Sequence, residues 1–220
     1  MMIAERIHGL RERLPAGVEL VAVSKFHPVE QLGEAYAAGQ RRFGESRVQE
    51  LVAKVPQLPA DVEWHFIGHL QKNKVRQLMP HVAMIQSIDS LELLHLVDKE
   101  AARLGRTVDV LLELHVAAEQ AKSGFLPEEI VAIAERGELN QLSNTILRGV
   151  MAMATFTDDM AQVDREFAVV ESTFNRLKKI IGLPSFNQVS MGMSDDWQVA
   201  IKHGSTMVRI GTEIFGPRVV

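Results

Sequence analysis

Eight short apolar runs alternate with stretches of helical spacing along this chain, and few folds accept that order. The runs cover residues 21–25, 41–45, 64–67, 83–88, 108–114, 146–151, 186–190 and 206–210, and their length and composition read as strands. Repeated strand-helix-strand units build a parallel sheet, and eight of them are the count that closes into a (β/α)8 barrel. An open doubly wound sheet is the structural alternative. It more often opens on a glycine-rich G-x-G-x-x-G turn, and the chain has none. The expected fold class is therefore α/β, a single barrel domain over residues 1–220 with one extra helix in front. That helix is expected over 3–14, where Ile3, Ile7, Leu10 and Leu14 share a face before Pro15-Ala16-Gly17.

Helix punctuation supports the alternation. Pro28 suits the first position of a helix over 29–38 that ends at Gly39, and Ser46 reads as the cap of a helix carrying Val48, Leu51, Val52 and Val55. A basic helix with Lys72, Lys74 and Arg76 follows the third run. Asp89-Ser90 caps a helix reaching about Leu104, Pro127 starts another, and 195–203 is a short one. Met160, Val163, Phe167, Val170, Phe174, Leu177 and Ile181 step by three and four, the packing face of one long helix. Residues 137–145 form a polar connection without a readable signal.

Composition narrows the function. A net charge of −4 offers no general attraction to nucleic acid or to an anionic membrane. No run approaches the roughly 18 apolar residues of a membrane span, and the charged start Met-Met-Ile-Ala-Glu-Arg does not read as a signal peptide. Without cysteine, disulfides, thiolate metal sites and thiol nucleophiles are ruled out, and the cytosol is the expected compartment. His65 and His69 are four apart but on a strand end and its turn, so they read as hydrogen-bonded structural residues rather than as a metal pair.

Val21-Ala22-Val23-Ser24-Lys25 is an apolar run that stops on a lysine. In a parallel barrel the chemistry gathers at the carboxyl ends of the strands, where such a lysine emerges. Poor hydration there lowers an ammonium's pKa and leaves free amine to attack an aldehyde, so Lys25 is a candidate for a Schiff base. A solvated lysine that merely closes a strand is the alternative. Phosphate in barrels commonly sits on the loops after strands seven and eight, here Ser190-Met191-Gly192-Met193-Ser194 and Gly211-Thr212. Arg209, inside the last apolar run, needs an acceptor; an ion pair is one answer, a pyridine nitrogen the other. A Schiff-base lysine, phosphate loops and that arginine together describe a pyridoxal 5′-phosphate site. A guanidinium facing the ring nitrogen keeps it unprotonated and the ring a poor electron sink. Glu113 and His115 alternate near the end of the fifth run, where one is placed to face the mouth. Lys122 follows in a loop and is a candidate to receive a cofactor or carboxylate in transit.

Five segments carry a resemblance covering nearly the whole chain: 21–25, 43–50 (FGESRVQE), 64–74 (WHFIGHLQKNK), 190–196 (SMGMSDD) and 204–212 (GSTMVRIGT). In these the chain resembles the YggS/PROSC family of pyridoxal-phosphate-binding homeostasis proteins. The resemblance implies a barrel like the amino-terminal domain of alanine racemase, with the cofactor on Lys25, phosphate on Ser190, Gly211 and Thr212, and Arg209 toward the ring nitrogen. The implied cofactor-binding set is Lys25, Ser46, Ser190, Met191, Arg209, Gly211 and Thr212. The implied role is cofactor supply and amino/keto acid balance without established turnover, with pyridoxal-phosphate-dependent apo-enzymes as recipients. Ser46 departs from the family, which usually has Asn there. Serine lacks an amide's paired donor and acceptor, so weaker but retained binding is expected.

The competing reading is an enzyme of the racemase or decarboxylase kind. Those enzymes bring a tyrosine from a second domain to the other face of the cofactor, whereas this chain runs only to Val220 after its last strand. Its single tyrosine, Tyr36, is expected on an outer helix. A monomer is then the expected state. A cofactor-free Schiff-base aldolase explains Lys25 and the phosphate loops but gives Arg209 no task.

Overall fold

A strand that is apolar on both faces needs cover on both sides, and a closed parallel barrel inside a layer of helices provides it. The computed structural model describes residues 2–118 and 123–217. In it β1 (Glu19–Val23), β2 (Arg42–Glu45), β3 (Glu63–Phe66), β4 (Met84–Ile88), β5 (Val108–Leu114), β6 (Thr145–Ala152), β7 (Gln188–Ser190) and β8 (Met207–Ile210) pair in sequence order as one closed barrel. Every pairing is parallel, and β1 closes on β8 with Val21 opposite Arg209.

The helices are α1 (Ile3–Arg13), α2 (Val29–Ala37), α3 (Val48–Lys54), α4 (Val75–Leu78), α5 (Leu91–Arg103), α6 (Pro127–Glu135), α7 (Met160–Ile181), α8 (Trp197–Lys202) and α9 (Thr212–Phe215). Helix α7 buries Val163, Phe167, Val170, Phe174 and Leu177, as the stripe requires. The period-two alternation of strands splits the core. Leu20, Ala22, Phe66, Val110, Val208 and Ile210 belong to the large outer core beneath the helices, whereas Val21, Met84, Leu111, Met151 and Met207 fill the barrel. Phe43, Phe66, Phe167 and Phe186 are fully buried, so truncating any of them to Ala costs about 3–5 kcal/mol.

Several expectations shift. Strand β1 ends at Val23, so Lys25 lies in the following turn rather than on the strand. Arg47, not Ser46, is the residue before α3, and no side chain caps that helix. The basic segment is a 3-10 turn, Lys72–Lys74, leading into α4, because it lacks the apolar period that sustains a longer helix. Another 3-10 turn, Glu138–Gln141, lies in the unread polar connection, and α9 follows β8 directly.

Candidate functional site

The turn after β1 departs from ordinary backbone geometry. Phe26 has φ 68°, the one non-glycine among the described residues in the left-handed region. Its backbone N–H donates to Glu50 Oε1 at 2.6 Å, and the Arg47 guanidinium lies 4.7 Å from its ring centre. Ser24 is fully buried; its N–H donates to the Gly44 carbonyl and its hydroxyl to Glu45 Oε1 at 2.6 Å. Between these two anchored residues Lys25 is half-buried.

Lys25 borders a cavity of about 320 Å3 at the carboxyl ends of the strands, together with Ser194, Arg209, Gly211 and Thr212. That volume is at the small end of the range for small-molecule sites, about 300–1,000 Å3. Val23, Ile67, Met153 and the exposed Phe156 give it apolar walls. The two loops beside it require their glycines. Gly192 has φ +95°, and a side chain there would meet Ala200 Cβ at 2.7 Å; one at Gly211 would meet the Val23 carbonyl oxygen at 2.9 Å. A larger groove of about 600 Å3 lies at the opposite end of the barrel, bordered by Arg11, Arg41, Arg42 and Glu19. That end of a barrel serves stability, and the groove gathers no nucleophile.

Arg209 is 3% exposed and, among the described residues, has no carboxylate in hydrogen-bond contact. It donates to the Ser190 carbonyl at 2.8 Å, the Ser190 hydroxyl at 2.6 Å and the Ala152 carbonyl at 2.9 Å. Burial lowers its pKa to about 10, with Asp196 and Glu113 opposing at longer range, so the guanidinium stays charged at neutral pH. Ser190 passes the bond on. Its hydroxyl donates to Gln86 Oε1 at 2.7 Å, and Gln86 Nε2 contacts His65 Nδ1 at 2.8 Å and Met207 Sδ at 3.2 Å. Because Gln86 donates through nitrogen, His65 Nδ1 accepts and the imidazole is neutral. Burial holds the His65 pKa down at about 3, in agreement.

The structure thus brings Lys25, Arg209, Gly211 and Thr212 to one cavity and adds Ser194. It places Ser190 and Met191 deeper, both fully buried, with the Ser190 hydroxyl engaged by Arg209 and Gln86. Ser46 is half-buried beyond β2, its backbone so close to Gly68 that a Cβ there would meet the Ser46 carbonyl oxygen at 2.3 Å. Glu113 is buried at the end of β5; burial raises its pKa, and Ser123 donates to both its oxygens. Lys122 lies outside the described residues. Sequence reasoning missed Gln86, Lys54 and Glu45. Polarity inside an apolar run was the available signal for Gln86. Among the described residues no group of His, Cys, Asp or Glu is set to hold a metal, and no helix is long and apolar enough to cross a membrane.

Fold and cavity define a barrel of the alanine racemase amino-terminal type: the family described as alanine racemase, N-terminal domain, matches residues 2–219. The pyridoxal phosphate homeostasis protein of Pasteurella multocida is 39% identical over 210 residues, 94% of this chain and 89% of that protein. The human protein of the same name is 39% identical over 210 residues, 90% of this chain and 76% of that one. The chain belongs to the alanine racemase N-terminal domain family and, within it, to the pyridoxal phosphate homeostasis proteins. PipY of Synechococcus elongatus, solved without PLP and with PLP bound, superposes with TM-scores of 0.93 and 0.89. Both forms are 39% identical and cover 98% of this chain and 100% of that one. Alanine racemase of Clostridium difficile shares the fold at 16% identity, with a TM-score of 0.82 over 98% of this chain and 56% of that one.

Proposed function

We propose that this chain holds pyridoxal 5′-phosphate in the Lys25 cavity as a reversible carrier, acting in cofactor supply and amino/keto acid balance. The observation that carries this reading is the convergence of one amine, one buried guanidinium and two hydroxyl-and-glycine loops on a single cavity. An aromatic aldehyde with a phosphate arm fits that donor set, with the amine for the aldehyde and the loops for the anion. When bound, the cofactor supplies the aldehyde that condenses with the Lys25 amine, with loss of water, to a Schiff base. Gly211, Thr212 and Ser194 hold the phosphate, and Ser194 replaces Ser190 in this role because the Ser190 hydroxyl is engaged. Ser190 and Met191 support the site from below, and Arg209 faces the ring nitrogen. The solved relative described with PLP bound supports the assignment.

Carriage rather than turnover is supported by Tyr36. The hydroxyl of this sole tyrosine donates to Asp61 at 2.6 Å and its ring lies under Arg41, away from the cavity residues. Ser46, shorter than an amide residue, leaves the ring edge less well held, and Ser46→Asn tightens binding. Residues 1–220 act as one monomeric domain in the cytosol and pass the cofactor to dependent apo-enzymes.

The deciding measurement is the absorbance of the purified chain with added pyridoxal phosphate. A band near roughly 420 nm, lost on borohydride reduction with the label on Lys25 and absent in Lys25→Ala, is the expected result. A chain that stays colourless overturns the reading. The shared racemase fold favours one second reading, catalysis of racemisation. Steady loss of chirality from a single-enantiomer amino acid, above the rate with free cofactor, would establish it.

A further inference from the structure

The turn that presents Lys25 is tied on both flanks to one buried ion cluster. Lys54, the last residue of α3, has a side chain only 7% exposed. Its ammonium donates to the Ser24 carbonyl at 2.9 Å, Glu45 Oε1 at 2.8 Å and Glu50 Oε1 at 2.7 Å. An ammonium has three donors, and all three are used. The same two carboxylate oxygens also serve the turn: Glu45 Oε1 accepts the Ser24 hydroxyl and Glu50 Oε1 accepts the Phe26 N–H, each at 2.6 Å. The residues immediately before and after Lys25 are therefore held through one buried cation.

Stability alone does not account for such a cluster. Desolvating three charges opposes folding, and replacing buried ion groups with apolar ones is often neutral or stabilising. The unfavourable terms are visible here. Glu45 is wholly buried, its Oε2 has no hydrogen-bond partner among the described residues, and burial raises its pKa. Phe26 is held at φ 68°, a conformation a bulky residue adopts only when its surroundings impose it. Both features sit beside the residue that borders the cavity.

We propose that Lys54 is a positioning residue for Lys25, acting through Glu45 and Glu50 to hold the Ser24-Lys25-Phe26 turn so that the Lys25 amine meets the cavity in one orientation. The role rests on the cofactor reading above, but the positioning can be measured without the cofactor.

The test follows reductive methylation of Lys25 by formaldehyde and hydride, residue by residue by mass spectrometry, with the exposed Lys179 as reference in the same molecule. Lys54→Met is the direct variant. Because it strands Glu45, Glu50→Ala is the second, since it removes the carboxylate that accepts from the Phe26 N–H and keeps the Lys54–Glu45 pair. Glu50→Gln restores an acceptor at the same place. In Glu50→Ala the Lys25 to Lys179 rate ratio is expected to change about tenfold, the weight of one hydrogen bond to a charged acceptor, and to return to within about twofold in Glu50→Gln. Pyridoxal phosphate trapped on Lys25 should need about tenfold more cofactor in Glu50→Ala, on the same reckoning. A methylation ratio unchanged in Lys54→Met, or unchanged in Glu50→Ala, overturns the proposal. A wild-type chain that takes up no pyridoxal phosphate overturns the carrier function instead, and the methylation ratio still decides the positioning.

Discussion

The two walls of the cavity are fixed by opposite means. Behind Lys25 stand three charges, the buried Lys54 and Glu45 and the half-buried Glu50, gripping a turn with a left-handed residue. Behind Arg209 runs a one-way chain through the barrel interior in which only the arginine is charged: Arg209 to Ser190, Ser190 to Gln86, Gln86 to His65. The first wall holds backbone, because the lysine follows the end of its strand. The second holds a side chain whose backbone is already in β8. A turn needs strong, directional anchors; a strand residue needs only its head group steered.

Breaking the charged wall should have the largest effect. Lys54→Met leaves Glu45 buried without its cation and should lower unfolding free energy by about 3–5 kcal/mol in urea titration, with part of the loss recovered when Glu45→Leu is added. The neutral wall should yield less. Ser190→Ala strands Gln86 Oε1 and one Arg209 N–H while leaving Arg209 its two carbonyl acceptors, an expected loss of about 1–3 kcal/mol in the same titration. If Ser190→Ala proves the more damaging, the contrast between the walls is wrong.

The neutral wall also has a pH signature. His65 is held at a pKa of about 3 against an ordinary 6.5, so between those values the unfolded chain binds a proton that the folded chain refuses. This contribution to stability is complete above about pH 6.5 and falls away as pH drops toward 3, by at most a few kcal/mol. His65→Gln, which keeps an acceptor for Gln86, should flatten that slope relative to wild type in denaturation at stepped pH. The smallest effect is expected at Phe26→Gly. Relief of the left-handed conformation and the greater freedom of glycine in the unfolded chain oppose each other, leaving stability within about 1 kcal/mol of wild type.

Much of this was legible in advance. The spacing of apolar runs implied eight strands, and Lys25, Arg209, Gly211 and Thr212 were recognisable as residues of the wrong polarity or unusual freedom at the carboxyl ends of strands. What was not legible is instructive. Lys54 and Glu50 are four apart on a helix, a spacing common to exposed surface pairs. Only the packing of α3 against the end of β1, across the 30 residues between Ser24 and Lys54, buries Lys54. Gln86 and Ser190 lie 104 residues apart, and nothing local announces that their strands face inward at one level. That Ser194 and not Ser190 lines the cavity turned on where β7 stops. At Ser190 the side chain still points into the barrel interior, and four residues later the loop has reached the cavity.

The sequence by itself determined the order of strands and helices, the barrel they close into, and which residues stand at its working end, because periodicity and turn chemistry are local properties of the chain. Only the tertiary structure decided which side of each strand became interior, that Arg209 found a hydroxyl and carbonyls rather than a carboxylate, and that a helix-end lysine became the buried anchor of the turn beside Lys25. Those outcomes depend on which groups lose water together and must then satisfy one another, and burial is a property of the closed barrel rather than of any segment.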